Sequence, residues 1–327
     1  MCSRITVSWA IQRRRRSNCR SNGKKSSRRQ IAQCAYFRRS RPMPTLRNMI
    51  AGEKVVPATV VFNPIMAKLA EQAGFPALYL GGGTLGYVKT TLEANLNITE
   101  MCQLGVEIGA ACPLPLILDA AAGFGDPMHM HRTITMAENA GFAAIEIEDQ
   151  ILPKRAHHHV GIEHMVPLEL MVEKVKEAVA ARRGDMLIIA RTNGMRASDY
   201  DDAIRRAEAY KKAGADVLML GPNTPEDYRF LGERLDPPLM YNARSGGLQG
   251  TGMSLEELGS LGCRLFVDSG HPFLAGYKAW KQCYESMAQG MLDPGMSAEE
   301  AKAVDQEMKE TIGLEAMLEI EKRTVEK

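Results

Sequence analysis

The chain has 327 residues, of which 45% are apolar, enough for one large α/β domain or two ordinary ones with a real core. Its net charge of +2 conceals a division: residues 1–52 carry 14 Lys or Arg and no acid, leaving 27 basic against 39 acidic residues in the remainder. No apolar run reaches the ~18 residues of a membrane span, and seven cysteines with no CxxC pair fit a reduced, intracellular compartment, taken as cytoplasmic.

In chain order, the first segment is the arm "MCSRITVSWAIQRRRRSNCRSNGKKSSRRQIAQCAYFRRSRP" (1–42), which has no apolar period with which to pack a core and is expected to be disordered. Three readings stay open for it. It is a mitochondrial transit segment, a basic tail for nucleic acid, or an extension upstream of a true start at Met43. No nucleic-acid partner is expected on any other ground.

From about residue 49, short apolar runs alternate with segments of helical spacing. The runs are "VVPATVVF" (55–62), "PALYLG" (76–81), "LPLILD" (114–119), "AAIEIED" (143–149), "MLIIART" (186–192), "DVLMLG" (216–221), "PLMYN" (238–242) and "CRLFVD" (263–268). Each is too short for a helix and rich in Val, Ile and Leu, as strands buried on both faces are. Between them, "PIMAKLAEQAG" (64–74) opens on Pro and closes on Gly, and "DYDDAIRRAEAYKKAG" (199–214) runs from acid to base along the helix dipole. Eight such units predict a (β/α)8 barrel over residues 43–290; a doubly wound open sheet is the alternative. Beyond it, residues 291–327 predict a helical extension whose Ser297 and Glu300 form a capping box. Its stripe of Val304, Met308, Met317 and Leu318 is expected to contact another subunit or to lie back on the barrel.

A parallel barrel keeps its chemistry at the carboxyl ends of its strands. Those ends carry Asn63; Gly81, Gly82 and Gly83; Asp119; Glu148 and Asp149; Arg191, Thr192 and Asn193; Asn223; Asn242; and Asp268 with His271. Asp119 and Glu148, on adjacent strand ends, suit a hard cation such as Mg²⁺, or merely cap helices. Arg191 ends an apolar strand and needs a carboxylate partner from the protein or a ligand. The glycine run lets backbone N–H groups approach an anion, or makes a tight turn. After Glu148 and Asp149 comes "QILPKRAHHHVG" (150–161), a cationic loop that would hang over the mouth as a lid. Three adjacent histidines there seldom point at one metal.

The stretches "YLGGG" (79–83), "LDAAAGFGDP" (118–127), "IEDQILPKR" (147–155), "IIART" (188–192) and "PLMYNAR" (238–244), in this order, resemble the isocitrate lyase and phosphoenolpyruvate mutase superfamily over residues 44–290. Within it the chain is similar to methylisocitrate lyases, dimethylmalate lyases, oxaloacetate decarboxylases and carboxyvinyl-carboxyphosphonate phosphorylmutases. The resemblance implies a (β/α)8 barrel, Mg²⁺, a homodimer or homotetramer with C-terminal helices reaching onto a partner, and a 2-oxo or 2-hydroxy dicarboxylate cleaved to an enolate. Carried over by position, it gives Asp119 and Glu148 to the metal. Tyr79, Gly81, Gly82, Gly83, Arg191 and Asn242 go to the substrate. Lys154, Arg155 and His158, with Arg191, go to catalysis.

The departures are chemical. Ala156 stands where the lyases carry the acid–base Cys and His157 where they carry Gly. Ala121 replaces the second Asp of a D-x-D pair, Gly81 a Ser, Asn95 an upstream Asp and Gly221 a Glu. An alanine transfers no proton, so a Cys-dependent mechanism is excluded, and fewer carboxylates weaken Mg²⁺ binding. The expected function is a Mg²⁺-assisted carbon–carbon lyase or decarboxylase, with His157 or His159 in place of the missing Cys. The alternatives are phosphorus–carbon mutase chemistry and a non-catalytic dicarboxylate-binding barrel.

Overall fold

The computed structural model describes residues 44–243 and 246–326; the basic arm, and Arg244 of the "PLMYNAR" stretch, lie outside the described residues. Eight parallel strands close in sequence order. They are β1 (Val56–Val60), β2 (Ala77–Leu80), β3 (Leu116–Asp119), β4 (Ala144–Glu148), β5 (Leu187–Arg191), β6 (Val217–Met219), β7 (Leu239–Ala243) and β8 (Cys263–Asp268). The eight apolar runs are these eight strands. Pairing of β1 with β8, Ala58 opposite Val267, completes the ring and sets aside the open sheet.

Strand side chains alternate faces with a period of two, and two cores result. One fills the barrel with Ala58, Val60, Tyr79, Ile117, Leu187, Ile189, Val217, Met219, Met240 and Leu265. The other lies between strands and helices, where Leu78, Leu80, Leu118, Ile145, Ile147 and Ile188 meet residues such as Met171 and Val175 of the helix Leu168–Ala181. At the amino end, the short helix Leu46–Ile50 places Leu46 and Ile50 in the barrel's inner core as a floor. Arg47 of that helix is tied to Asp216 at 2.8 Å.

Several strand-end residues on the list make hydrogen bonds at the starts of the following helices. Asn63 caps the helix Pro64–Ala73 through the Met66 N–H at 2.9 Å. Asp268 accepts from the N–H groups of Gly270 and His271. Asn223 donates its N–H to Asp227.

The helical extension after Ser297 is two helices, Ala298–Thr311, with the expected capping box, and Leu314–Thr324. Gly313, at φ 74°, makes the break, in a left-handed turn that glycine adopts without cost. The compact unit that contains the barrel runs through Leu314. Among the described residues no helix is long and apolar enough to cross a membrane.

Candidate active site

The inward parity of the strands carries up to the barrel mouth. Tyr79 follows Ala77, Asp119 follows Ile117, Glu146 and Glu148 follow Ala144, and Arg191 follows Leu187 and Ile189 at steps of two. Strand register then sets neighbours, with Asp119 opposite Glu146 and Glu148 opposite Arg191. Five polar side chains therefore crown one apolar barrel, and all but Arg191 are buried.

Their bonds form a chain across the mouth. The Tyr79 hydroxyl donates to Glu146 Oε2 at 2.7 Å. Arg191 Nη1 donates to Glu146 Oε1 at 3.0 Å, and its Nε lies 3.4 Å from Glu148 Oε2. Asn193 Nδ2 donates to the same Glu148 oxygen at 3.0 Å. Asp119 accepts the N–H of Gly82 on one oxygen, at 3.1 Å, and that of Ala121 on the other, at 3.0 Å. Asp149, one residue past Glu148, points the other way, and Thr192, Tyr210 and the Asn193 N–H bind it. It anchors strand ends, and Glu148 faces the barrel mouth.

The lid comes down onto this crown. Its base is pinned by the Gln150–Met165 bridge and by Ile151 N–H donating to His164 O. A turn of 3-10 helix, Ala156–Val160, closes on Gly161 at φ 82°. The lid pushes Lys154 inward until it is 7% exposed, with its Nζ 2.5 Å from Glu148 Oε1 and paired also with Glu93. His158 follows it, 3.6 Å from Glu93 and 2.8 Å from Glu163. Glu163 is in turn paired with Arg196 at 2.9 Å.

The electrostatics follow from burial and these partners. Burial alone would raise the Glu148 carboxyl, but Lys154 and Arg191 beside it hold it well below the usual carboxylate range. Burial would likewise lower Lys154, and Glu148 and Glu93 hold it charged above its ordinary value. Burial wins at Glu146, where Asp119 adds repulsion and the carboxyl is raised to about 7 despite Arg191. Glu93 is raised as well, chiefly by burial.

Of the residues singled out in the sequence, Tyr79, Gly82, Asp119, Glu148, Lys154 and Arg191 come together, with His158 at the edge. Gly81 packs on the Tyr79 ring, 3.0 Å from where a Cβ would stand. Gly83 lies nearby, its Cβ position 3.6 Å from Glu93 Oε2. Asn242 stands at the end of β7, and its Oδ1 is buried without a hydrogen-bond partner. Arg155 is exposed. The three histidines diverge: His157 meets His164 at 3.3 Å, His159 meets Tyr87 at 3.2 Å, and His158 alone turns inward. Asn95 is exposed and bonded to Thr91. Its neighbour Glu93, in the 3-10 turn Glu93–Asn95, takes the buried position instead.

Glu93, Glu146 and Glu163 escaped the sequence reading. Glu146 was within reach, since a carboxylate two residues before Glu148 in an apolar strand must share its face. Glu93 had no such signal. Its placement depends on Gly86, against which the Glu93 backbone packs so closely that a Cβ on Gly86 would fall 2.7 Å from the Glu93 nitrogen.

A Mg²⁺ ion at Asp119 and Glu148 does not fit this donor set. Each Asp119 oxygen accepts one backbone N–H and keeps a lone pair, but both Glu148 oxygens face cationic or amide donors of the chain, with the Lys154 ammonium on Oε1. Ala121 offers no further oxygen. With Lys154 in place between Glu93 and Glu148, no three His, Cys, Asp or Glu side chains among the described residues are arranged to hold a metal ion.

Residues 46–288 match the family model described as phosphoenolpyruvate phosphomutase. The chain is 37% identical over 209 residues to a 2-methylisocitrate lyase of Aeropyrum pernix, covering 63% of this chain and 67% of that protein. It is 30% identical over 283 residues to a 2,3-dimethylmalate lyase of Eubacterium barkeri, covering 84% and 96%. Among solved structures, a phosphonopyruvate hydrolase in complex with oxalate and Mg²⁺ superposes with a TM-score of 0.74 at 27% identity, covering 86% of this chain and 98% of that one.

Proposed function

Because the chain belongs to the phosphoenolpyruvate phosphomutase family, we propose that it is a carbon–carbon lyase or decarboxylase acting on a small 2-oxo or 2-hydroxy dicarboxylate through an enolate. The observation that carries this reading is the pair of cations, half-buried Arg191 and buried Lys154, both set against Glu148 at the barrel mouth. In it, a substrate carboxylate takes over the Arg191 guanidinium, whose planar fork suits a carboxylate. The Lys154 ammonium faces the oxygen on which enolate charge grows, in a site closed to water, where such a contact counts most. Asn242 offers an amide to the substrate's second end, and Tyr79 holds Glu146 off the substrate. Gly82 spends its N–H on Asp119, so its part is to position that carboxylate, and Gly83 remains the backbone donor.

The reading gives the proton step to His158, since Ala156 has no proton to give. An imidazole can give or take a proton, and His158 is the one loop imidazole directed at the mouth. His157 and His159, expected above in that role, are engaged with His164 and Tyr87. Arg155 serves the lid's outer surface. No step runs through a metal.

The same reading makes residues 43–290 the catalytic barrel and the helices beyond it subunit contacts. Supporting an oligomer, the helix His271–Met287 buries none of its residues and presents Leu274, Tyr277, Trp280 and Tyr284 to the outside. An apolar face of this kind marks an interaction surface. The compartment is the cytoplasm, or the mitochondrial matrix if the arm is a transit segment.

The test is a substrate panel on protein begun at Met43, with oxaloacetate and substituted malates against phosphonopyruvate. Turnover of an oxo or hydroxy dicarboxylate supports the proposal. Turnover of the phosphonate alone selects mutase-type chemistry, and oxalate binding without any turnover selects the non-catalytic barrel.

A further inference from the structure

The mouth gathers Asp119, Glu93 and Glu148 around one region and then fills that region with an ammonium group. Gly82 shows how close they are: a Cβ there would lie 3.0 Å from Glu93 Oε2 and 3.5 Å from Asp119 Oδ2. Lys154 bridges Glu93 and Glu148. Buried carboxylates so close together need a cation, because their mutual repulsion is weakly screened there. Two oxygens that a divalent ion would need, Glu148 Oε1 and Glu93 Oε1, both point at the lysine. The sequence adds an independent sign, since Ala121 contributes no carboxylate two residues beyond Asp119 and Asn95 turns outward.

We propose that the Lys154 ammonium is a built-in replacement for a divalent cation, clasped by Glu93 and Glu148 at the barrel mouth. The lid then does two things with one residue: it closes the site, and it delivers the positive charge that the carboxylates require. Opening the lid withdraws that charge and leaves Glu93, Glu148 and Asp119 facing one another, so closure is driven by the same neutralisation. The catalytic consequence, turnover without metal, rests on the lyase reading above; the occupancy of the cation position by lysine does not.

The experiment is a Mn²⁺ titration followed by electron paramagnetic resonance on the full chain, its Lys154→Met variant and an Asp119→Asn control, with circular dichroism to verify folding. The expected result is no saturable site in the native chain and one Mn²⁺ per chain in Lys154→Met, at least about tenfold tighter than any native binding. A single native Mn²⁺ site that disappears in Asp119→Asn would overturn the proposal, as would a folded Lys154→Met chain that binds no Mn²⁺. Should Lys154→Met fail to fold, the native titration still decides. A second arm measures turnover of any active panel substrate in excess EDTA, with full activity expected and loss of activity counting against the replacement. If no substrate is turned over, the lyase reading fails and the Mn²⁺ result stands by itself.

Discussion

Arg191 and Glu146, on neighbouring strands, face each other at 3.0 Å inside the barrel mouth, so the guanidinium that the proposed function gives to a substrate carboxylate is already held by one of the chain's own. Which of the two carboxylates holds it is set by protonation. The Glu146 carboxyl is lifted from its ordinary 4.5 to about 7, first by burial and then by Asp119. Below that value Glu146 takes a proton and loosens its hold on Arg191. Binding of oxalate, followed by calorimetry, is therefore expected to tighten by up to about tenfold per pH unit on lowering the pH through 7. In Glu146→Gln this dependence flattens.

The same shift has a sign for stability. A carboxyl raised on folding favours the protonated native state, so its contribution is full below pH 4.5 and is lost as the pH climbs through about 7. Denaturant unfolding of the native chain should show a loss of roughly 3 kcal/mol over this window from Glu146. The Glu146→Gln variant should be flatter there and more stable than the native chain above neutrality. An unchanged slope in the variant would refute the assignment.

His158 is separated from its neighbours by direction alone. Turnover in His158→Gln should fall by about 10²–10⁴-fold if it moves the proton. His157→Gln and His159→Gln should stay within a few-fold of the native chain, since their partners, His164 and Tyr87, lie outside the mouth's carboxylate cluster. Equal losses in all three would point to a lid held together by its histidines and no specific proton donor.

Gly86 tests the placement of Glu93. An added methyl would stand 2.7 Å from the Glu93 nitrogen and 2.9 Å from the Leu92 carbonyl carbon, which are backbone atoms that cannot rotate away. Gly86→Ala should cost about 1–3 kcal/mol, read as a lower melting temperature. It should also cost turnover, because the 92–93 segment must retreat and carry its carboxylate away from Lys154. Retained turnover alongside the lowered melting temperature would show that Glu93 can be spared.

The exposed aromatic face of His271–Met287 gives a prediction of mass. Replacing Tyr277 and Trp280, which are 58% and 49% exposed, by serine should lower the molar mass measured by light scattering if the face joins subunits. Melting behaviour of the monomer should change little, since neither side chain is buried in its own chain.

What could be read from the sequence divides along a physical line. All eight strands were legible because a parallel strand covered on both faces is a short apolar run, and Asp119, Glu148 and Arg191 stood out as charges that end such runs. Glu146 sat inside its run and was passed over, although its spacing from Glu148 carried the information. Glu93 was illegible, because a loop carboxylate reaches the site through packing between residues seven apart and gives no periodic signal. The directions of the three histidines were illegible for a related reason. Adjacent residues in a 3-10 turn diverge by roughly 120° each, so composition named the cluster but only the turn's phase selected His158. The carboxyl-terminal stripe was read across Gly313, where the left-handed turn resets the phase.

The floor built by Leu46 and Ile50 bears on how the gene can be trimmed. A recombinant protein opening at Met43 retains Thr45, whose hydroxyl receives the Asn48 N–H, together with the leucine, the isoleucine and the Arg47 tether. One opening six codons later, at Met49, would lose the cap, Leu46 and the tether at a stroke and leave the cylinder's lower end wet. The two methionines look interchangeable as starts on paper, and only the first keeps Leu46 in the barrel's inner core.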